Sequence, residues 1–362
     1  MDLNTIGWNS HFSNEFDLIK GSKHLEGRDL IPGRVSADSR HIYAIVTEAG
    51  ELTAEVSGKF RSGAGAKADF PVVGDWVAAA PLPGEGKAII HAVLPRVNSF
   101  SRRSAGFKTE EQVVAANIDT VFIVTAADGD FNPRRVERYL TLAWNSGAEP
   151  VVVLNKTDAI DRPEDLVAEL ESVAVGVPIL PVSAEKALGL EALFNHLEAG
   201  ETATLLGSSG VGKSTIINRL AGAARQDTFA VREGDSRGRH TTTRRELIVL
   251  DAGGIIIDNP GMREVGVWGD EAGLEETFSD IEELASRCRF GDCSHRSEPG
   301  CAVRAALENS SLDPGRFESY LKLAKELRWA AAREEGRLAL EEKRRWKTIS
   351  KFQKQLKKER GL

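Results

Sequence analysis

The stretch "TATLLGSSGVGKSTIINRL", residues 202–220, restricts the fold more than any other part of the chain. An apolar run leads into G-x-x-x-x-G-K-[ST], and an apolar helical spacing follows. A strand, a glycine-rich turn and a helix in that order form the setting in which such a loop holds phosphate. Glycines let backbone N–H groups turn inward on the anion, and the helix N-terminus adds a favourable field. Gly207, Ser208, Ser209, Gly210, Val211, Gly212, Lys213, Ser214 and Thr215 are therefore expected to line a nucleoside triphosphate. Lys213 should reach the β- and γ-phosphates, and the Ser214 hydroxyl should bind Mg²⁺.

A second signal lies upstream. "VVVLNKTDAI", residues 151–160, ends an apolar run on Asn155, Lys156, Thr157 and Asp158. An aspartate here can accept hydrogen bonds from guanine N1–H and the exocyclic amine. Adenine offers no such donor pair and would leave the carboxylate unpaired, which is costly. Asn155 is expected to hold the loop and Lys156 to lie over the base. Many surface turns read N-K-x-D, so the partner signal matters. "PVSAEK" follows the next apolar run, and Ser183, Ala184 and Glu185 can direct N–H groups at guanine O6.

Two segments read as switches. In "GRHTTTRR", residues 238–245, one of Thr241, Thr242 and Thr243 should supply the second Mg²⁺ hydroxyl, and Thr242 is the assignment made here. In "IIIDNPGMRE", Asp258 should hold a Mg²⁺-bound water and the Gly261 N–H should meet the γ-phosphate. Met262 stands where many GTPases carry a glutamine that orients the attacking water. Methionine cannot do this, so His240 or a group from a partner must. Slow intrinsic turnover, raised by a partner, is the expectation.

The order along the chain is base reader, second base loop, phosphate loop, switches. That is a circular permutation of the usual GTPase order, and compact domains tolerate relocated termini. Apolar runs alternating with amphipathic stretches predict an α/β domain with a parallel sheet over 112–268. Residues 33–105 read as short strands that fit an all-β OB-type barrel, either an RNA binder or a docking module. "GKFRSGAGAKADF" within it reads as a basic loop. Residues 1–32 are an extension, helical in part, and 269–362 are helical around a Cys/His segment.

All three cysteines fall between 288 and 301. An odd number excludes complete disulfide pairing. Cys288, Cys293, His295 and Cys301 give C-x₄-C-x-H-x₅-C, a donor set for one closed, structural Zn²⁺. Four protein ligands leave no open position for catalysis. Arg289, Arg296 and Arg304 flank it, as phosphate contacts or as solvated surface.

Charge is uneven. The chain carries −7, yet residues from Lys343 onward carry nine Lys or Arg and one acid, so the rest is near −15. A basic tail on an acidic body suggests one localised polyanion contact. Lys343, Lys347, Lys351, Lys354 and Lys358 share one helix face, which suits RNA, a membrane surface or plain solvation. No apolar run is long enough to span a membrane. The start has neither a basic nor an apolar leader region, so a cytoplasmic, monomeric protein is expected.

Taken together, "GWN", "GDWV", "SRRSAG", "QVVAANIDTVFIV", "NKTD", "GSSGVGKST", "GRHTTTRRE", "DNPGMRE" and "CRFGDCSHRSEPGCAV" resemble the bacterial circularly permuted GTPases called ribosome small subunit-dependent GTPase A. The resemblance covers nearly the whole chain. It implies an OB-fold barrel, a permuted P-loop GTPase domain and a zinc-binding helical domain. It also implies GTP hydrolysis to GDP stimulated by the small ribosomal subunit, with rRNA binding, in late maturation of that subunit and alongside assembly factors. On this likeness His240 is the catalytic histidine, and the four Cys/His residues bind Zn²⁺. Asn259 departs from the usual threonine, where only the backbone is expected to matter. The competing reading is an RNA-binding module that holds GTP as a ligand with negligible turnover.

Overall fold

The computed structural model describes residues 1–39, 41–103, 111–232, 245–259 and 271–332, with the side chains of 102–103, 111 and 223–232 left aside. His240, Thr241, Thr242, Thr243, Gly261, Met262 and the basic tail lie outside the described residues.

The N-terminal extension is packed, not loose. Asn9 caps α1 (Ser10–Lys20) by accepting from the Phe12 amide at 3.2 Å, the usual way to satisfy an orphan N–H. Phe12 and Phe16, one helical turn apart, are both buried. The Trp8 ring of "GWN" meets the Trp76 ring of "GDWV" edge-on at 4.7 Å. The two quoted motifs thus pack on each other.

Five strands form the barrel: β1 (Ile31–Ser39), β2 (Ile42–Thr47), β3 (Gly50–Val56), β4 (Trp76–Leu82) and β5 (Lys87–Val93). They close in the order β1-β2-β3-β5-β4 and back to β1, antiparallel except for β3 with β5. Val35, Tyr43, Ile45, Ala54, Val77 and Ile90 fill the interior. The segment read as a loop instead forms α2 (Gly58–Gly63) and a short 3₁₀ turn, Lys67–Asp69. Ser57 accepts from the Phe60 amide at 3.1 Å, and one Asp69 oxygen accepts from the Gly65 and Ala66 amides. Local capping here overrides the glycine content. β6 (Ser99–Arg103), placed in the barrel by the sequence reading, pairs with β7 (Glu111–Ala116) as a separate hairpin.

The next domain contains β8 (Thr120–Ala126), α3 (Pro133–Ser146), β9 (Glu149–Asn155), α4 (Pro163–Glu171), β10 (Ile179–Pro181), β11 (Thr202–Leu206), α5 (Lys213–Arg232), β12 (Glu246–Val249) and β13 (Ile255–Asp258). The sheet order is β10-β9-β8-β11-β13-β12. All neighbours run parallel except β12 and β13. Only residues 250–254 join that pair, closed by a Leu250 N–H to Gly254 carbonyl bond of 3.0 Å. So tight a connection forces an antiparallel neighbour, because a parallel one needs a long crossover. One sheet face packs on α3 and the C-terminal helices, the other on α5 and a 3₁₀ segment, Leu190–His196.

Barrel and sheet are joined. β1 meets β12 at Ala37 and Glu246. Arg34 of β1 is buried and donates to the carbonyls of Gly74, Asn117 and Ile6 and to the Thr202 hydroxyl. Burial pulls its pKa down to about 10, so it stays charged at neutral pH.

The last described part holds α6 (Ala272–Thr277), α7 (Ser279–Ser286), α8 (Ala302–Glu308) and a helix over residues 314–332. Their apolar faces join the same core as α3 and the N-terminal extension. No helix among the described residues is long and apolar enough to cross a membrane.

Candidate nucleotide site and metal cluster

The loop 207–212 leaves β11 at the C-terminal edge of the sheet and runs into α5. Gly212 has φ +97°, and a Cβ there would sit 2.2 Å from the Asn155 side-chain nitrogen. Only glycine lets the loop approach the base-reading strand this closely. Lys213 Nζ donates to the Gly207 and Ser208 carbonyls, each at 2.6 Å. Ser214 and Thr215 are exposed at the mouth of the loop.

Asn155 ends β9 and is buried. Its amide donates to the Val211 carbonyl at 2.8 Å, and its oxygen accepts from the Ala184 N–H at 3.0 Å. One side chain thereby ties together the base reader, the second base loop and the phosphate loop. Thr157 Oγ1 donates to the Val182 carbonyl at 2.9 Å. The Ser183 hydroxyl donates to Asp158 at 2.6 Å and accepts from the Lys186 N–H at 3.1 Å. Lys156 adopts a left-handed backbone, φ 62°, and its ammonium pairs with Asp128 at 2.7 Å. That hydrogen bond draws the Asp128 carboxyl below its ordinary value.

Several contributors escaped the sequence reading. Arg219 of α5 holds the second base loop through the Ala184 and Glu185 carbonyls, at 3.1 and 2.9 Å. Arg135 of α3 donates to the Ser208 hydroxyl at 2.5 Å and to Asp130 at 2.7 Å. Neither stands in a recognisable motif. Asp258 ends β13. The Asn259 side chain is buried and donates to the Val114 carbonyl of β7 at 3.3 Å, so it engages more than its backbone.

Cys288, Cys293, His295 and Cys301 converge, with all ligand atoms within 4.8 Å of one another. Cys288 follows α7, Cys301 caps α8, and the other two lie on the loop between. Cys288 Sγ is 3.9 Å from Cys301 Sγ, and His295 Nδ1 lies 3.7 and 3.5 Å from those two sulfurs. Tetrahedral zinc with Zn–S of about 2.3 Å and Zn–N of about 2.0 Å requires edges of about 3.8 Å (S–S) and about 3.5 Å (S–N). The donor set and its spacing fit that ion. The Arg304 N–H points at Cys301 Sγ at 3.4 Å, which orients the sulfur.

A family model described as RsgA GTPase matches residues 93–268. A relative from Opitutus terrae, named "Small ribosomal subunit biogenesis GTPase RsgA", is 45% identical over 98% of this chain and 97% of its own length. The chain belongs to the RsgA GTPase family. Another relative of that name, from Methanosarcina acetivorans, is 40% identical over 96% of this chain and 91% of its own. Among solved structures, YjeQ from Thermotoga maritima is 29% identical with a TM-score of 0.62, covering 82% of this chain and 98% of that one. YloQ, titled a circularly permuted GTPase, shares the fold at 22% identity and a TM-score of 0.61, over 85% and 98%. Like other RsgA GTPases, this chain is a GTP hydrolase, and its strand order is the permuted one. The resemblance read from the motifs holds at the level of family and fold.

Proposed function

We propose that this chain hydrolyses GTP to GDP and phosphate under stimulation by the small ribosomal subunit and acts in that subunit's late maturation, in contact with rRNA. Its relatives are named as biogenesis GTPases of that subunit. The observation that carries the nucleotide assignment is the pair of hydrogen bonds by which Asn155 donates to the Val211 carbonyl and accepts from the Ala184 N–H. It ties the three loops together in permuted order, which supports reading them as one site.

In this reading Asp158 accepts the guanine N1–H and amine, with Ser183 fixing the carboxylate. The loop Ser183–Ala184–Glu185 lies against O6, with the Ala184 N–H itself taken by Asn155, and Lys156 and Thr157 complete the base site. Gly207 to Thr215 enclose the phosphates, and Asp258 and Gly261 face the γ-phosphate. Ser214, Thr242 and Asp258 would hold Mg²⁺, which supplies charge neutralisation on the phosphates when bound. His240 orients the attacking water in place of Met262. Cys288, Cys293, His295 and Cys301 hold one structural Zn²⁺. The chain divides at about residues 33, 112 and 269 into extension, barrel, GTPase domain and zinc-binding helical domain.

The test is GTP turnover by the full chain alone, with purified small subunits and with purified large subunits. Stimulation by small and not by large subunits supports the proposal. Equal turnover in all three conditions removes the ribosomal part of it.

A further inference from the structure

Helix α3 stands between the phosphate loop and the zinc-binding helical domain, and it is bonded to both. At its first turn Arg135 Nη1 bridges the Ser208 hydroxyl (2.5 Å) and Asp130 (2.7 Å). Ser208 belongs to the phosphate loop, and its carbonyl is one of the two held by Lys213. Asn132 caps the helix and accepts from the backbone N–H of Arg135 itself at 3.1 Å. The guanidinium is thus anchored at both its root and its tip.

The neighbouring positions turn the other way. Arg138 forms a two-pronged pair with Glu326 of the helix over 314–332, at 2.8 and 2.9 Å. Glu137, fully buried, accepts from Arg316 at 3.0 Å. Arg316 also donates to Asp280 and to the Thr277 and Val173 carbonyls. One turn on, the Thr141 hydroxyl donates to the Thr277 hydroxyl at 3.1 Å. Asn145 accepts from the Gly273 N–H at 3.0 Å. A Cβ at Gly273 would meet Asn145 Oδ1 and the Thr141 carbonyl at 2.6 Å each, so α6 lies directly against α3. One helix therefore grips the phosphate loop through Arg135 and the zinc-binding domain through Glu137, Arg138, Thr141 and Asn145.

We propose that Arg135 is a positioning residue for the phosphate loop, and that the seating of the zinc-binding domain on α3 sets its hold on Ser208. Arg135 acts through the Ser208 hydroxyl. It fixes the first turn of the loop, so that the amides that follow are already arranged for phosphate. A helix clamped on one side transmits a shift of the clamp to the other, and a coupling of this kind is reciprocal. A partner that moves the zinc-binding domain would then change nucleotide affinity, and bound nucleotide would change the affinity for that partner. This inference rests on the assignment of residues 207–215 as the phosphate loop.

The experiment is a double-mutant cycle read as the dissociation rate of a fluorescent GDP from the zinc-loaded full chain. Arg135→Ala should speed release about tenfold, the scale of one charge-assisted hydrogen bond. Ser208→Ala should do the same, and the two together no more than either alone. Glu326→Gln loosens the outer clamp and should speed release about threefold, an effect that vanishes in the Arg135→Ala background. Arg135→Lys, which keeps a donor, should recover part of the loss, and kcat at saturating GTP should change much less than KM. Unaltered release in Arg135→Ala, or a Glu326→Gln effect that persists without Arg135, overturns the inference. Lys213→Ala separates the two layers. If that variant still binds GDP normally, the phosphate-loop assignment itself fails. If it loses GDP while Arg135→Ala behaves as the parent, only the positioning role fails.

Discussion

The Asn155 amide donates to the Val211 carbonyl at 2.8 Å across 56 residues of sequence. Base reader and phosphate loop are thus one hydrogen-bonded unit, although the base reader comes first in the chain. Asn155→Ala removes this bond and the one to Ala184 and leaves their partners buried. Affinity for GTP and GDP should fall together, by about ten- to a hundredfold at roughly 1–3 kcal/mol for the unsatisfied groups. Fluorescent-nucleotide titration checks this, and a loss confined to one nucleotide would contradict it.

In the proposed site, base specificity is assigned to Asp158, which accepts from the Ser183 hydroxyl at 2.6 Å. Asp158→Asn replaces an acceptor by a donor. Guanine's amine then meets no acceptor, whereas the C2 carbonyl of xanthine meets a donor. The preference should pass from guanine to xanthine nucleotides by about a hundredfold or more. Competition binding with GDP, XDP and ADP reads it directly.

Zinc should be present at one ion per chain and hold the segment 288–301 in shape. The His295 ring lies 6.3 Å from the Phe317 ring, so the cluster also supports the helix over 314–332. Chelation should expose all three thiols to a thiol reagent and lower the thermal midpoint, and added zinc should restore both. Thiols that react equally with and without chelator would exclude the site.

Arg316 and Glu137 form a buried pair at 3.0 Å. Arg316→Ala leaves the carboxylate in the core with Arg134 as its remaining cation, at 2.8 Å. Stability to denaturant should drop by about 3 kcal/mol, toward the lower end for a broken buried pair. Glu137→Gln combined with Arg316→Met should recover part of it, because the charge buried at Glu137 is gone while Asp280 and the Thr277 and Val173 carbonyls still lack their donor.

What was legible in the sequence was what the chemistry writes into short spacings. The glycines and Lys213, the Asn155–Asp158 turn and the four Cys/His ligands each follow from local necessity. The barrel was legible as texture, since its strands alternate. Contacts between distant elements were not. Nothing in "RRVERYL" announces that Arg135 reaches Ser208 while Arg138 reaches Glu326, because surface arginines on a helix look alike until their neighbours are known. Arg34 likewise reads as an ordinary strand residue, yet it joins extension, barrel and sheet. The segment after Ser57 was misread because capping by Ser57 and Asp69 outweighed its glycines. Among the described residues, the parallel sheet expected over 112–268 fails only at β12, because the five residues 250–254 are too few for a crossover.

The proposed function is that of a guanine-nucleotide switch that engages the small ribosomal subunit. The most direct measurement is co-sedimentation of the full chain with purified small subunits in a non-hydrolysable GTP analogue, in GDP and without nucleotide. Tight association in the analogue and weak association in GDP are expected, with Lys213→Ala failing in both. Equal association in all three conditions would contradict it.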